Sequence, residues 1–277
     1  MKRENKARMK QRARNICLVV AYDGTAYCGF QRQTNGVVAV QNVLENALNT
    51  VFGDDIDLTA AGRTDAGVHA NGQVVNFFTD GKIPAAKIPQ AVNAYLPSDI
   101  VVRAACEVAK DFSALHDAKS KIYTYKIYRA TVSNPLICRY AWHVESKLDV
   151  SLMQKALSSL KGEHDFASFC AAGSTAKSTV RTLYAADAFT ETPPQTEWAL
   201  SVFAQNAAEE TPQIITIAFH GNGFLYHMVR NIIGSLVYVG RKRYSLDDFA
   251  ALLAARDRRR GAPTAPATGL CLQEVRY

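Results

Sequence analysis

Twice in this chain an apolar run ends in a glycine turn, then an aromatic residue, then an apolar helix pattern. The two stretches are "VVAYDGTAYCGF" (19–30) and "ITIAFHGNGFLY" (215–226). Strand–turn–helix recurs in most chains that mix the two element types, so the echo alone does not establish duplication. It does favour an α+β architecture of two similar halves whose strands pool into one sheet.

The remaining pattern is built from similar short pieces. A first strand covers 16–22, and an amphipathic helix over 39–52 places Val40, Val43, Leu44, Ala47, Leu48 and Val51 on one face. "IDLTAA" and "GQVVNFFT" read as strands, with "GRTDAGVHA" (62–70) as the loop between them. A short helix is expected over 85–94. "KIYTYKIYRA" (121–130) alternates as a strand, with Tyr123, Tyr125 and Ile127 on one face and Thr124, Lys126 and Tyr128 on the other. Asp149 or Ser151 can cap a helix over 151–161 that Gly162 stops. "WALSVFAQ" and "QIITIAFHG" read as strands, and a long apolar helix follows over 224–239. A last helix starts at Ser245 with Asp248 three residues on, and is expected to bury Leu246, Phe249, Leu252 and Leu253.

No apolar run approaches the roughly 18 residues of a membrane helix. "ICLVVAY" follows a basic segment but leads into "DGT", which fits a first strand rather than a signal peptide. The six cysteines are scattered without a C-x-x-C pair, as expected of chance thiols in a reducing cytoplasm. The six histidines have no metal-ligand spacing, so no metal site is expected. The net charge of +7 is uneven: residues 1–14 alone carry +6. Such an arm suits either contact with a polyanion or a solubilising tail. Two further basic knots, "RKR" (241–243) and "RDRRR" (256–260), lean toward polyanion binding.

The loop 62–70 concentrates more polar chemistry than a turn needs. Gly62 and Gly67 permit a sharp presentation of Asp65. A single loop aspartate is most often an Asx-turn residue, but here Arg63 and His69 stand beside it. Arg230 interrupts the apolar pattern of 224–239. It sits either on an exposed helix face, with Asn231 beside it, or partly buried against a carboxylate, for which a loop aspartate is the natural candidate. Tyr123 and Tyr125 have the ordinary reading of core aromatics. The bases around them, Lys119, Lys121, Lys126 and Arg129, also suit a nucleobase-stacking surface.

With the basic arm excepted, the chain resembles the bacterial tRNA pseudouridine synthase A family along nearly its whole length. The matching blocks are "YDGTAYCGFQRQ" (22–33), "AGRTDAGVHANGQVV" (61–75), "NAYLPSDI" (93–100), "KIYTYKIY" (121–128), "GEHDFASF" (162–169) and "FLYHMVRNIIGSL" (224–236). The resemblance implies that Asp65 is the catalytic carboxylate, that Tyr123 packs on the target base and that Arg230 pairs with Asp65. It makes Arg63 the side chain that holds the target nucleotide out of its stack, and places His69, Gln31 and Arg32 with the substrate. Two departures stand out: Phe30 where the family usually has tryptophan, and Cys271 where it usually has an aromatic residue.

The implied fold is a mixed, mostly antiparallel sheet with helices, in two ferredoxin-like halves around a central cleft. Here the halves would be 15–115 and 116–277, after the arm 1–14. The implied reaction breaks the N1–C1′ bond of uridine, turns the uracil and rejoins it through C5, with no cofactor. One carboxylate suffices, attacking C1′ or taking a ribose proton. The base must first leave its stack, at a cost of a few kcal/mol. The implied substrate is tRNA at nucleotides thirty-eight to forty of the anticodon stem-loop. The implied enzyme is a cytoplasmic homodimer with no membrane association. Two alternatives remain at this stage: an RNA-binding protein of the same fold without catalysis, and a synthase acting on another RNA.

Overall fold

The computed structural model describes residues 11–33, 37–53, 55–193 and 212–277. Most of the basic arm and the strand expected over 198–205 lie outside the described residues. In chain order the elements are β1 (Arg14–Tyr22), α1 (Val40–Phe52), β2 (Thr59–Ala60), β3 (His69–Thr79), α2 (Ile88–Asn93), β4 (Ile100–Val108) and β5 (Ser120–Arg129). There follow α3 (Pro135–Cys138), β6 (Trp142–Val144), α4 (Val150–Ser158), β7 (Gly162–Asp165), β8 (Val180–Glu191) and β9 (Gln213–Gly221). The chain closes with α5 (Met228–Gly240), α6 (Leu246–Ala255) and β10 (Leu270–Arg276). The class is α+β, with a mixed sheet arrangement.

Two compact units divide at Ile122 and Tyr123, within β5, and Cys271–Tyr277 returns to the first unit. In that first unit the strand order is β4-β1-β3-β10, with β2 also on β3. β1 runs antiparallel to both β3 and β4, while β10 runs parallel to β3 through Cys271 opposite His69. The period of two along β1 buries Ile16, Leu18 and Val20 on one face. α1 buries Val40, Leu44, Ala47 and Leu48 at helical spacing and ends at Gly53 in the left-handed conformation (φ 66°).

In the second unit the order is β5-β9-β8-β7, with β6 parallel to β5. α5 is buried almost all round, as a predominantly apolar helix is, and lies against α4. Its start differs from the sequence expectation. His227 takes the left-handed conformation (φ 58°), so the helix begins at Met228 and leaves Phe224 and Leu225 outside it. α4 is capped by Asp149, whose side chain accepts from the Leu152 N–H, but it ends at Ser158. Gly162 opens β7 instead of stopping the helix. The Ser245–Asp248 capping box of α6 forms with both hydrogen bonds, yet Leu246 in its first turn is 38% exposed rather than buried.

Candidate active site

The sequence loop is shorter than the motif, because His69 and Ala70 already belong to β3. The connection from β2 to β3, residues 61–68, is tied down at nearly every position. The Ala61 N–H donates to Val74 O at 2.8 Å, and Lys121 Nζ donates to Ala61 O at 2.7 Å. Gln73 Nε2 donates to Gly62 O at 2.9 Å. The Thr64 side chain points inward, only 7% exposed, and its hydroxyl meets that of Tyr22 at 2.8 Å. Thr64 O accepts the Phe30 N–H at 3.1 Å, and the Gly67 N–H donates to Tyr27 O at 3.2 Å.

The turn closes through the Val68 N–H on Asp65 O at 3.1 Å. Gly67 supplies the positive φ of 77° that this reversal needs. Behind it Gly24 passes so close that any Cβ would collide with Val68 O. On either side of the buried Thr64, Arg63 is exposed and Asp65 half-buried. Among the described residues the Arg63 guanidinium has no hydrogen-bonding or ion-pair partner. Burial pushes the Tyr22 phenol far above its ordinary value, against the lowering effect of its bonds to Thr64 and Gln73, so it stays a neutral donor.

Gln31 and Arg32 follow Phe30, whose ring lies 6.0 Å from that of Tyr22. Both are engaged by α1. Gln41 Oε1 accepts from Gln31 Nε2 at 2.9 Å and from the Arg32 N–H at 3.0 Å. Gln41 Nε2 donates to Glu45 Oε1 at 2.8 Å, and Glu45 Oε2 holds Arg32 Nη1 at 2.7 Å. Arg32 Nη2 also reaches Asp57 at 3.2 Å. Glu45 is 5% exposed, and burial raises its pKa despite the Leu58 N–H, Gln41 and Arg32. Sequence reading missed this network. Its signal was a glutamine and a glutamate four apart on the apolar stripe of α1, where every other residue is hydrophobic.

His69 is buried in β3. Its Nδ1 accepts the Gly24 N–H at 3.1 Å and lies equally far from Asp23 Oδ1. A nitrogen that accepts from Gly24 cannot also donate to Asp23, so the tautomer with a bare Nδ1 serves the first contact and a ring carrying a proton on Nδ1 the second. The histidine thereby braces the turn after β1 that underlies the loop.

In the second unit, Tyr123 and Tyr125 are both buried. The Tyr123 ring meets Phe224 edge-on, centroids 5.0 Å apart, and the Tyr125 hydroxyl donates to Pro266 O at 2.8 Å. Burial raises the Tyr125 pKa, and the charge of Arg230 opposes that rise. Arg230 lies in the first turn of α5, half-buried, with Nε donating to Ala265 O at 2.8 Å. The exposed-face alternative is overturned by its neighbour. Asn231 is 1% exposed, donates to Phe169 O, and accepts from Arg258 and Thr264. The packing of Phe224 on Tyr123 carried no sequence signal, since the two are a hundred residues apart.

Residues 18–117 and 156–277 match a family model described as tRNA pseudouridine synthase. A protein of Syntrophotalea carbinolica named tRNA pseudouridine synthase A is 42% identical over 95% of this chain and 96% of its own length. Proteins of the same name are also 42% identical in Thermoanaerobacter sp. (strain X514), over 95% of this chain and 100% of theirs, and in Moorella thermoacetica, over 94% and 98%. Among solved structures, the archaeal box H/ACA sRNP Nop10–Cbf5 complex covers 92% of this chain and 46% of its own. At 9% identity and a TM-score of 0.33 it carries no argument.

Proposed function

The chain belongs to the tRNA pseudouridine synthase family and is an isomerase of uridine in tRNA; from that premise we propose that Asp65 is its catalytic carboxylate and that its targets are nucleotides thirty-eight to forty of the anticodon stem-loop. The observation that supports this most is the clamped loop 61–68. Thr64 is fixed inward by Tyr22, between an exposed Arg63 and a half-buried Asp65, on a backbone held by hydrogen bonds on both sides of it. Preorganisation of this kind lets a charged group act without reorganising as the reaction proceeds.

In this reading the target base leaves its stack and Arg63 fills the vacated space. Tyr123 gives the base a new surface to pack on. Arg230 aims the Asp65 carboxylate at the sugar. Asp65 then attacks C1′ as the N1–C1′ bond breaks and is displaced when C5 bonds to C1′, or it removes a ribose proton that is returned when C5 bonds; in either route C5 gives up its hydrogen as a proton and N1 gains one. The product is an isomer of the substrate, so nothing is oxidised and no group is carried away. His69, Gln31 and Arg32 serve the substrate through the loops they hold. The enzyme is proposed to act as a homodimer in the cytoplasm; no helix among the described residues is long and apolar enough to cross a membrane.

The test is pseudouridine mapping on tRNA incubated with native protein and with Asp65→Asn. The variant should bind tRNA as the native protein does and form no pseudouridine. Substantial product from a correctly folded variant overturns the assignment of Asp65. Product at sites outside the anticodon stem-loop overturns the targets.

A further inference from the structure

The two basic knots, separated in sequence by α6, are joined in the structure. Residues 241–243 and 256–260 together carry a net +6, so outside them and the arm the chain nets −5. The Tyr244 hydroxyl donates to Arg260 O at 3.3 Å, which fixes the second knot beside the first. The Tyr238 and Tyr244 rings pack at 5.2 Å, and the Arg243 guanidinium lies over Tyr238 at 5.5 Å from its centroid.

Not every cation in this cluster is available. Arg259 is held in two prongs by Asp257, Lys242 has Asp149 at 3.7 Å, and Arg256 has Asp165 at 3.2 Å. Arg258 is turned inward onto Asn231, Ala262 and Thr264. That leaves Arg241, Arg243 and Arg260, none in a close ion pair among the described residues: Arg260 is within electrostatic reach of Asp257, which Arg259 already holds in two prongs, and Arg241 meets the Ser146 hydroxyl at 2.7 Å. A helix C-terminus favours cations, which accounts for Arg241 just past α5. It does not account for Arg243 lying on Tyr238, or for Arg260 brought in from another loop.

We propose that Arg241, Arg243 and Arg260 form a second RNA-binding site, one that takes backbone phosphates of the tRNA away from the target uridine. Resting on the function proposed above, it adds a second point of contact to that substrate. A ring beneath a guanidinium restrains it, and a planar fork restrained in this way grips a phosphate with two hydrogen bonds at little entropic cost. Arg241 follows α5 and Arg230 opens it, and eleven residues of helix separate them by about 16 Å. Phosphates bound here therefore belong to nucleotides well removed from the one Arg230 serves. Contacts of this kind position the RNA without reading its sequence.

The experiment compares native protein with R243Q/R260Q, both exposed positions whose change leaves the core intact. Binding of full-length tRNA is measured across a salt series, and turnover on full-length tRNA and on the isolated anticodon hairpin. Because the variant can no longer neutralise two phosphates, the slope of log K against log salt should shrink by about 1.5. KM for full-length tRNA should rise with kcat unchanged, and hairpin turnover should not move. An unchanged salt slope overturns the site and leaves the patch to another partner. An equal loss on the hairpin overturns its placement away from the target. Native protein that forms no pseudouridine at all overturns the function proposed above, while the salt slope still decides this site.

Discussion

The hydroxyls of Tyr22 and Thr64 meet at 2.8 Å inside the first unit, and this contact makes Thr64 the anchor between two charged residues, Arg63 and Asp65. The phenol belongs to β1 and the threonine to the loop, so the rigid strand sets the loop. Gln73 of β3 supports the same region through Gly62 O.

Tyr22→Phe should strand the Thr64 hydroxyl in a dry site and cost about 1–3 kcal/mol, while Thr64→Val should cost less, because the Tyr22 phenol keeps its bond to Gln73. The double variant should recover part of that loss, because two matched apolar groups leave no orphan between them. Urea denaturation of the three proteins measures it; strictly additive losses would show that the contact contributes nothing.

Gly24→Ala places a methyl group against Val68 O, directly beneath the loop. The expected loss is about 1–3 kcal/mol of stability, with a fall in kcat larger than any change in KM. Stability and steady-state turnover measured together test this. A stable variant with native kcat would show that the loop tolerates displacement.

Arg230→Ala should lose nearly as much activity as Asp65→Ala, and the double variant little more, because residues acting as one unit are strongly non-additive. Arg230→Lys should also be poor, since an ammonium lacks the planar fork. Single-turnover rates on tRNA provide the readout. Independent, multiplying losses would separate the two residues.

Glu45 gives a prediction in pH. Burial, ahead of its hydrogen bonds and Arg32, holds its pKa above the ordinary value of 4.5, so the folded chain keeps the proton more tightly than the unfolded one. The stability this group contributes is therefore fully present below 4.5 and is lost as pH rises through the raised folded value. Relative to the native protein, Glu45→Gln should gain stability with rising pH across that window. Denaturation at a series of pH values tests the sign, and a gain with falling pH would contradict it.

The basic arm overlaps the fold at its end. Arg12 donates to Asp55 O and Phe78 O, and Arg14 pairs with Glu107 at 2.9 Å in β1. Deletion of residues 1–11, which keeps both, should weaken tRNA binding and flatten its salt dependence without changing which uridines react. A native salt slope after deletion would make those residues bystanders.

The sequence by itself determined the local elements and the chemistry-bearing loop. Alternation gave β1, β5 and β9, helical spacing gave α1, and Ser245 with Asp248 gave the start of α6, because these depend on neighbours within a few residues. The family blocks singled out Asp65, Tyr123 and Arg230 for the same reason: a motif is contiguous. What faces what was decided only in three dimensions. β10 crosses the length of the chain to lie parallel to β3, and neither its partner nor its direction is encoded in its own seven residues. Gln41 and Glu45 read as polar interruptions of an apolar stripe until Gln31, Arg32 and the Leu58 N–H were brought against them. Leu246 reads as core and lies exposed, because the capping box fixes where α6 begins but not which side of its first turn meets the protein. Period and capping act over one or two turns of chain, whereas burial and pairing depend on residues from about ten positions away, as Gln31 is from Gln41, to about two hundred, as Cys271 is from His69.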